Sequence, residues 1–370
     1  MSGSFLLAKV KGIKIQVHVT FVLVLIWAAM WGMGREPGMT GALYGVVLTS
    51  LLFLCVTLHE LAHSLVALRY GVRVRDITLL PIGGLARLEG ELSRPAHEFW
   101  VAISGPLVNL VLAGVLAVVT MPWLDWHSLA DLGRLMVQSG GVGLDSLLID
   151  LIKANAGLAL FNLLPAFPMD GGRVLRALLA SRMNDLHATR IAMHVGQAFA
   201  VFLGLMGILT SAWNLILVAL FIFAGARMEW RGKQLRLAME QVPASAALVR
   251  GGVVLSPHDP LGRAIEIALD GGQTDFAAFD RGYLVGVLTQ KDMAEAFHRY
   301  GSNVLVERVM RTDFPVAQTS DTLLDLQRKM EASGSPVVSL TESGRFLGLA
   351  TLESVRKALQ LFLQWGPGKA

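Results

Sequence analysis

Leu58-His59-Glu60-Leu61-Ala62-His63 sits inside the apolar stretch from Gly41 to Leu68, which is long enough to cross a bilayer as one helix. Residues four apart on a helix share a face. His59 and His63 can therefore present two imidazoles to one Zn²⁺, with Glu60 beside the water such a metal activates. In a soluble helix this H-E-x-x-H pattern is a moderate signal, because His and Glu are common on solvated faces. Three ionisable groups within five residues of a membrane span are expensive against lipid, and that cost favours a metal site over a charged structural cluster. The stretch reads as a hydrolase site within the bilayer.

Composition agrees with that setting. Of 370 residues 54% are hydrophobic and 16% charged, and the mean hydropathy is +0.55. This is too apolar for an ordinary soluble enzyme and long enough for more than one domain. The formal charge of +4 and the pI near 9.3 arise from Lys and Arg dispersed between apolar runs, which argues against a nucleic-acid partner. The single cysteine, Cys55, excludes an intramolecular disulfide framework and a multi-cysteine zinc cluster, so metal binding must rest on His and carboxylate. Cys55 shares a helical face with His59, but a free buried thiol reads as a small hydrophobe rather than a ligand. Lys9, Lys11 and Lys14 before an apolar stretch have the outline of a signal sequence without a small-residue cleavage site, so a retained first span is expected.

Along the chain, residues 12–18 alternate as a short interfacial strand and residues 19–33 read as a first span. After a turn over Gly34 to Thr40 comes the Gly41 to Leu68 span, and Val72 to Glu91 reads as a membrane-associated hairpin around Gly83-Gly84. Its edge could receive an extended peptide as an added strand. Residues 97–121 form a third span containing Ser104-Gly105-Pro106 and Asn109, whose amide either packs helices or acts directly. A polar loop with Asp125, Asp131 and Asp145 leads to a fourth span over residues 146–167, with Asp150 and Lys153 near its start. Two prolines and two glycines in Asn162-Leu163-Leu164-Pro165-Ala166-Phe167-Pro168-Met169-Asp170-Gly171-Gly172-Arg173 present Asp170 from an irregular turn. Residues 194–228 read as two short spans divided near Thr210 and Ser211.

Alternate loops are rich in Lys or Arg, which places the N-terminus, the hairpin and everything after residue 228 in the cytoplasm of a cell-membrane protein. His59, His63 and Asp170 then fall toward the cytoplasmic ends of their helices. Catalytic zinc takes three protein ligands, so a third must join the histidines. Asp170, Asp150, Asp76, Glu98 and His97 are candidates. Only Asp170 combines the right side of the membrane with a helix-breaking frame. His18, His127, His187, His194, His258 and His298 are scattered and read as surface or interfacial.

Beyond about residue 240 the composition becomes that of a soluble α/β unit. The segment from Asp259-Pro260-Leu261 through Gly286-Val287-Leu288-Thr289 recurs as Asp321-Thr322-Leu323 through Gly348-Leu349-Ala350-Thr351. Each copy reads strand, helix, turn, two short strands and helix, so the two make a pseudo-twofold pair.

His59-Glu60-x-x-His63, Ser104-Gly105-Pro106 with Asn109, and Asn162-x-x-Pro165-x-x-Pro168-x-Asp170-Gly171 together resemble the site-2 protease family of intramembrane zinc metalloproteases, over about residues 1–230. The resemblance implies His59, His63 and Asp170 as ligands of one catalytic Zn²⁺ and Glu60 as the general base. It also implies a substrate-positioning role for Asn162, with Asn109 as a second residue of that kind. The C-terminal repeats resemble a pair of cystathionine-β-synthase (CBS) domains, modules that often bind adenine nucleotides such as ATP or AMP. In that family Gly-x-x-Thr-x-x-Asp contacts a ribose. Gly286 to Asp292 fits it and points to Thr289 and Asp292, whereas Ser354 replaces the Asp in the second copy.

The expected protein is a polytopic α-helical membrane protein of about six transmembrane helices with a membrane-associated β-hairpin, followed by a C-terminal α/β tandem CBS domain. Its domains would be a transmembrane zinc metalloprotease domain over 1–236, a linker over 237–247 and a regulatory CBS pair over 248–370. The expected activity is cleavage of transmembrane or membrane-adjacent segments of a membrane-protein substrate, with homo-oligomerisation through the CBS domains as one outcome. The competing reading is a non-proteolytic zinc transporter or nucleotide-sensing scaffold, although the polar residues concentrate on one side of the membrane rather than along a path through it.

Overall fold

The computed structural model describes residues 3–81, 83–90, 92, 94–124, 128, 131, 133–134, 141–249, 251–271 and 273–365. Asp125, His127 and the hairpin-end residue Glu91 lie outside the described residues. The chain divides into two compact units, Met1–Trp230 and Arg231–Ala370.

The first unit opens with β1 (Ser4–Val10) and β2 (Ile13–His18), joined by Lys11 and Gly12, both at positive φ. Two successive left-handed residues match the twist of a tight hairpin, and Gly12 takes that conformation without a Cβ penalty. Strands β3 (Arg73–Leu80) and β4 (Gly83–Glu89) complete a sheet ordered β1-β2-β3-β4, in which only the β2 and β3 pairing is parallel. The expected short strand over 12–18 is thus one member of a larger sheet. Strand β1 escapes the sequence reading because Phe5, Leu6 and Leu7 form a continuous apolar run rather than an alternation.

Helices α1 (Phe21–Arg35), α2 (Met39–Arg69), α3 (Pro95–Leu124), α4 (Leu144–Asn162), α5 (Asp170–Ala180), α6 (Asp185–Leu209) and α7 (Trp213–Gln241) come next. Among the described helices α2, α3, α6 and α7 are long and apolar enough to cross a membrane. Helix α1 is a shorter apolar helix of 15 residues, and α4 carries Asp145, Asp150 and Lys153. The span expected over 146–167 stops as helix at Asn162, ahead of Pro165 and Pro168, whose rings cannot continue it. The two short spans expected over 194–228 are long helices, parted at Thr210 to Ala212 and extended by polar flanks.

Small residues set how closely α1 and α2 approach. A Cβ added to Gly32 would strike the Gly41 carbonyl, and one added to Gly45 would strike that of Ala28. Ala28 and Gly32, like Gly41 and Gly45, lie four apart and line one face of each helix. Beside this contact, Arg35 Nη1 donates to Asp150 Oδ2 at 2.5 Å and to Tyr44 Oη at 3.1 Å, while Tyr44 donates to the same Asp150 oxygen at 2.7 Å. The Arg35 guanidinium lies 4.6 Å from the Trp31 ring centroid. These contacts tie α1 and α2 to α4. Ile13, Val72, Val74 and Ile77 of the sheet region pack with Ala67 of α2 and Val101 of α3, which seats the sheet against both helices.

The second unit carries β5 (Val254–Leu255), α8 (Leu261–Gly271), β6 (Phe276–Asp280), β7 (Tyr283–Leu288) and α9 (Gln290–Tyr300). The same order returns in β8 (Val316–Gln318), α10 (Leu323–Ser333), β9 (Val337–Glu342), β10 (Arg345–Thr351) and α11 (Leu352–Trp365). Each copy has its own core, around Leu255, Leu261, Phe276 and Leu288 in the first and around Ala317, Leu323, Leu326 and Leu340 in the second. Ala277, Val287, Val337 and Leu349 join the copies. Residues 237–247 continue α7 to Gln241, then place Val242, Ala244 and Ala247 in the core of the second copy. Thr289 and Thr322 cap α9 and α10 with their hydroxyls, as a residue type that favours N-caps should.

At the first cap, Arg311 grips Asp292 with two bonds, Nε to Oδ2 at 2.6 Å and Nη2 to Oδ1 at 2.9 Å, and Thr289 Oγ1 donates to Oδ2 at 2.6 Å. Burial pushes the Asp292 carboxyl up, but the bonds from Arg311 and Thr289 outweigh it and hold the group below the usual carboxylate range.

Removing only Arg35 leaves the buried Asp150 with the Tyr44 hydroxyl at 2.7 Å and Lys153 at 3.9 Å but without its closest cation, at a cost of up to about 3 kcal/mol. Thermal unfolding in detergent should therefore show Arg35→Leu less stable than the Arg35→Leu/Asp150→Leu double variant; the reverse order would exclude a charge-pair origin for this contact. The stability that Asp292 adds is present above its unfolded pKa and lost as pH falls through its lowered folded value. The melting-temperature gap between wild type and Asp292→Asn should thus be open at pH 7 and shrink below about pH 4. A gap independent of pH would mean the ion pair contributes nothing.

Candidate metal centre

His59 and His63 occupy adjacent turns of α2, and Asp170 is the first residue of α5. Their ligand atoms meet: His59 Nε2 and His63 Nε2 are 3.0 Å apart, and each is 3.2 Å from Asp170 Oδ2. Among the described residues this is the one group of three His, Cys, Asp or Glu side chains that could hold a metal ion.

The outer nitrogens decide what the inner ones can do. His63 Nδ1 lies 2.6 Å from the Val101 carbonyl, which only accepts, so the proton must sit on Nδ1. His59 Nδ1 faces Asn109 Oδ1 at 3.1 Å, which assigns its proton in the same way. Both Nε2 atoms then carry bare lone pairs that point toward each other and toward a carboxylate oxygen. Three such acceptors repel unless a cation lies among them. Tetrahedral zinc with ligand bonds of about 2.0–2.1 Å would set its ligand atoms ~3.3 Å apart, so the spacing and the N, N, O donor set both fit Zn²⁺.

Close backbone packing maintains this spacing. Gly105 of α3 lies against both imidazoles, and a Cβ there would run into the Nε2 atoms of His59 and His63. Gly171 and Gly172 bring the start of α5 against the backbone of residues 163–167, where a side chain on either would collide. Ala166, Met169, Ala200 and Ile222 form the apolar bed under that turn. Arg176, two turns into α5, pairs with Glu98 of α3 and with Glu229 of α7 and lies over the Phe167 ring. It anchors the helix that carries Asp170.

Glu60 projects beside the histidine pair. The β4 backbone at Gly84 comes so close that an added Cβ would sit 3.3 Å from Glu60 Oε1 and nearer still to its Cγ. The four other candidates for third ligand are engaged elsewhere. Asp150 holds Arg35 and Tyr44, Asp76 accepts from Arg87 at 2.9 Å, Glu98 holds Arg176, and His97 stacks on Tyr70 with centroids 4.0 Å apart. Cys55 meets the Asn155 amide at 3.4 Å and is outside the cluster. Asn109, expected to position substrate, is fully buried and faces His59 Nδ1. Asn162 ends α4, half-buried. The Val101 carbonyl and Gly84 escape the sequence reading, since neither role depends on a distinctive side chain. Gly105 is visible only as part of Ser-Gly-Pro.

Comparison with known proteins agrees with this geometry. Residues 47–203 match the model of peptidase family M50, and residues 306–361 match the CBS domain. A zinc metalloprotease of Methanocaldococcus jannaschii is 31% identical over 98% of this chain and 97% of its own length. The chain belongs to the M50 family, the site-2 proteases. A Synechocystis protein named for zinc metalloprotease activity is 32% identical over 97% of this chain and 96% of its own. The solved site-2 protease of M. jannaschii shares 37% identity, covering 61% of this chain and 95% of that one, with a TM-score of 0.44. As an M50 member this protein is a membrane zinc metalloprotease with a CBS domain, and the family implies zinc as its metal.

A hydrogen bond that orients a metal-binding imidazole is commonly worth 10- to 100-fold in affinity, and removing the Asn109 amide deletes the one on His59. Asn109→Ala should weaken zinc binding by about that factor in a competition titration against a chelator. Unchanged affinity would show that the amide only packs helices.

Proposed function

We propose that this M50 protein is an intramembrane endopeptidase that cleaves transmembrane or membrane-adjacent segments of other membrane proteins, in regulated intramembrane proteolysis. In this reading His59, His63 and Asp170 hold one Zn²⁺. The observation that carries it is the meeting of His59 Nε2, His63 Nε2 and Asp170 Oδ2 at 3.0 to 3.2 Å, with the two Nδ1 atoms facing the Asn109 amide and the Val101 carbonyl. When bound, the metal supplies Lewis acidity toward the scissile carbonyl and the attacking water. Glu60 removes the water's proton and returns it to the departing amine.

A peptide bond within a helix is shielded by its neighbours, so a substrate span must unwind before it reaches Glu60. Strand β4 lies at the end of its sheet and passes directly over Glu60 at Gly84. An extended substrate adds to that edge, its backbone amides exchanging their helical bonds for strand bonds. Asn162 stands at the end of α4 and is the positioning residue for the incoming peptide. The architecture that goes with this activity has six spans, α1, α2, α3, α4, α6 and α7, with the N-terminus and CBS pair on the cytoplasmic side of the cell membrane. Residues 1–236 make the protease domain, 237–247 the connection and 248–370 the regulatory pair.

Nucleotide control belongs to the same reading, with one adjustment. Thr289 and Asp292 carry the ribose pattern, but the Asp292 oxygens are bonded to Arg311 and Thr289. A cleft of about 470 Å³ in the second unit is lined instead by Gly251, Gly252, Asp275, Thr351, Ser354 and Lys357. An adenine nucleotide would enter there, beside the Thr351–Ser354 turn, in which Ser354 Oγ donates to the Thr351 carbonyl at 3.0 Å and Thr351 Oγ1 accepts from the Ser354 amide at 3.1 Å.

Reconstituted Glu60→Gln protein should keep its zinc and lose about 10²- to 10⁴-fold in cleavage of a transmembrane test substrate. Asp170→Asn should lose zinc as well, measured as metal per chain. Undiminished cleavage by the first variant, or full metal content in the second, would defeat these roles, and zinc flux into liposomes without proteolysis would favour a transporter.

A further inference from the structure

The repeat in the second unit reaches back beyond its strands. The shift along the chain that carries Val287 to Leu349, Thr289 to Thr351 and Asp292 to Ser354 also carries Val249 to Arg311. The backbone agrees. Val249 N–H donates to the Leu349 carbonyl at 2.9 Å and Arg311 N–H donates to the Val287 carbonyl at 2.8 Å, so each residue extends the edge strand of one copy, β10 or β7. Gly286 and Gly348 correspond in the same way. A Cβ on either would strike the passing segment, at Met310 Sδ in the first copy and at the Val249 carbonyl in the second.

The side chain that each segment lays beside the following turn is what differs. In the second copy Val249 offers only an apolar group, Ser354 Oγ turns back to the Thr351 carbonyl at 3.0 Å, and all three residues line the cleft of about 470 Å³. In the first copy Arg311 reaches the corresponding turn. Its Nε donates to Asp292 Oδ2 at 2.6 Å and its Nη2 to Oδ1 at 2.9 Å, the two-pronged geometry by which a guanidinium recognises a carboxylate, and Thr289 Oγ1 donates to Oδ2 at 2.6 Å. The Asp292 side chain is left 14% exposed, while that of Arg311 is 33% exposed, so the guanidinium lies over the carboxylate from the solvent side. Phe314, which corresponds to Gly252 of the open cleft, packs into the apolar contact between the copies. A ribose diol brings neutral donors to a carboxylate, and these are weaker than the two charge-assisted bonds already made to Asp292.

We infer that Arg311 is a resident occupant of the first copy's cleft: its guanidinium takes the Asp292 carboxylate that a ribose would need and closes that cleft to outside ligands. The second unit then takes a single nucleotide per chain, and the residue pair Val249 and Arg311 decides which copy receives it. The nucleotide count rests on the nucleotide reading given above, whereas the closure by Arg311 does not.

Both parts can be tested on the full-length protein in detergent. Carbodiimide-driven amidation of carboxyl groups by glycine ethyl ester, read by peptide mass spectrometry, needs no ligand: Asp292 should be protected in the wild type and labelled severalfold faster in Arg311→Val. Equal labelling of the two proteins would overturn the closure. Equilibrium dialysis against ATP or AMP should find one nucleotide per chain in the wild type and two in Arg311→Val/Asp292→Ser. That double variant copies Val249 and Ser354 of the open cleft and leaves no carboxylate unpaired, so it also serves if Arg311→Val alone does not fold. Val249→Arg/Ser354→Asp transplants the closing pair and should abolish binding. Two nucleotides per chain in the wild type, or one in Arg311→Val/Asp292→Ser, would overturn Arg311 as the occupant. Nucleotide retained by none of the proteins would overturn the nucleotide reading, with the labelling of Asp292 still deciding the closure.

Discussion

His59 Nε2, His63 Nε2 and Asp170 Oδ2 stand 3.0 to 3.2 Å from one another, closer than bare acceptors would choose in the absence of a cation. The protein must therefore impose the arrangement from outside, and much of the first unit is placed to do so. The Val101 carbonyl and the Asn109 amide fix the two rings from behind, Gly105 removes the side chain that would block their meeting, and Gly171 with Gly172 lets Asp170 come in on a tight turn. Arg176, held between Glu98 and Glu229, ties the helix bearing Asp170 to α3 and α7. Metal affinity in such a site depends on these supports as well as on the ligands.

The same economy of side chains governs access. Gly84 brings a strand backbone against Glu60, where any larger residue would push its carboxylate away. The second unit has a different asymmetry. Its two copies share one element order, yet Asp292 in the first is committed to Arg311, while Thr351 and Ser354 in the second border a cleft that Asp275 of the first also lines. Repetition of fold does not carry over to repetition of chemistry.

Much of this was legible in the residues. The apolar runs announce their helices, the prolines at 165 and 168 announce where α4 ends, and the repeat from Leu261 to Leu323 returns helix for helix. Strand β1 was not legible because an apolar edge strand lacks the alternation that marks a half-buried one. The two long helices α6 and α7 were underestimated because their polar ends do not look like membrane, although the backbone continues through them.

By itself the sequence determined the features that chain spacing sets: two imidazoles one turn apart on α2, an aspartate on a helix-breaking turn, and a duplicated α/β unit. Helical and strand periods are local properties, so they can be counted along the chain. The tertiary structure decided which of five carboxylate and imidazole candidates meets the histidines and what their outer nitrogens face. It also decided which amide faces His59 and that residues of both repeats line one cleft. His59 and Asp170 are 111 residues apart, and their meeting depends on helix packing permitted by glycines whose contribution is the absence of a side chain. No period in the sequence encodes that absence until the backbone it admits is in place.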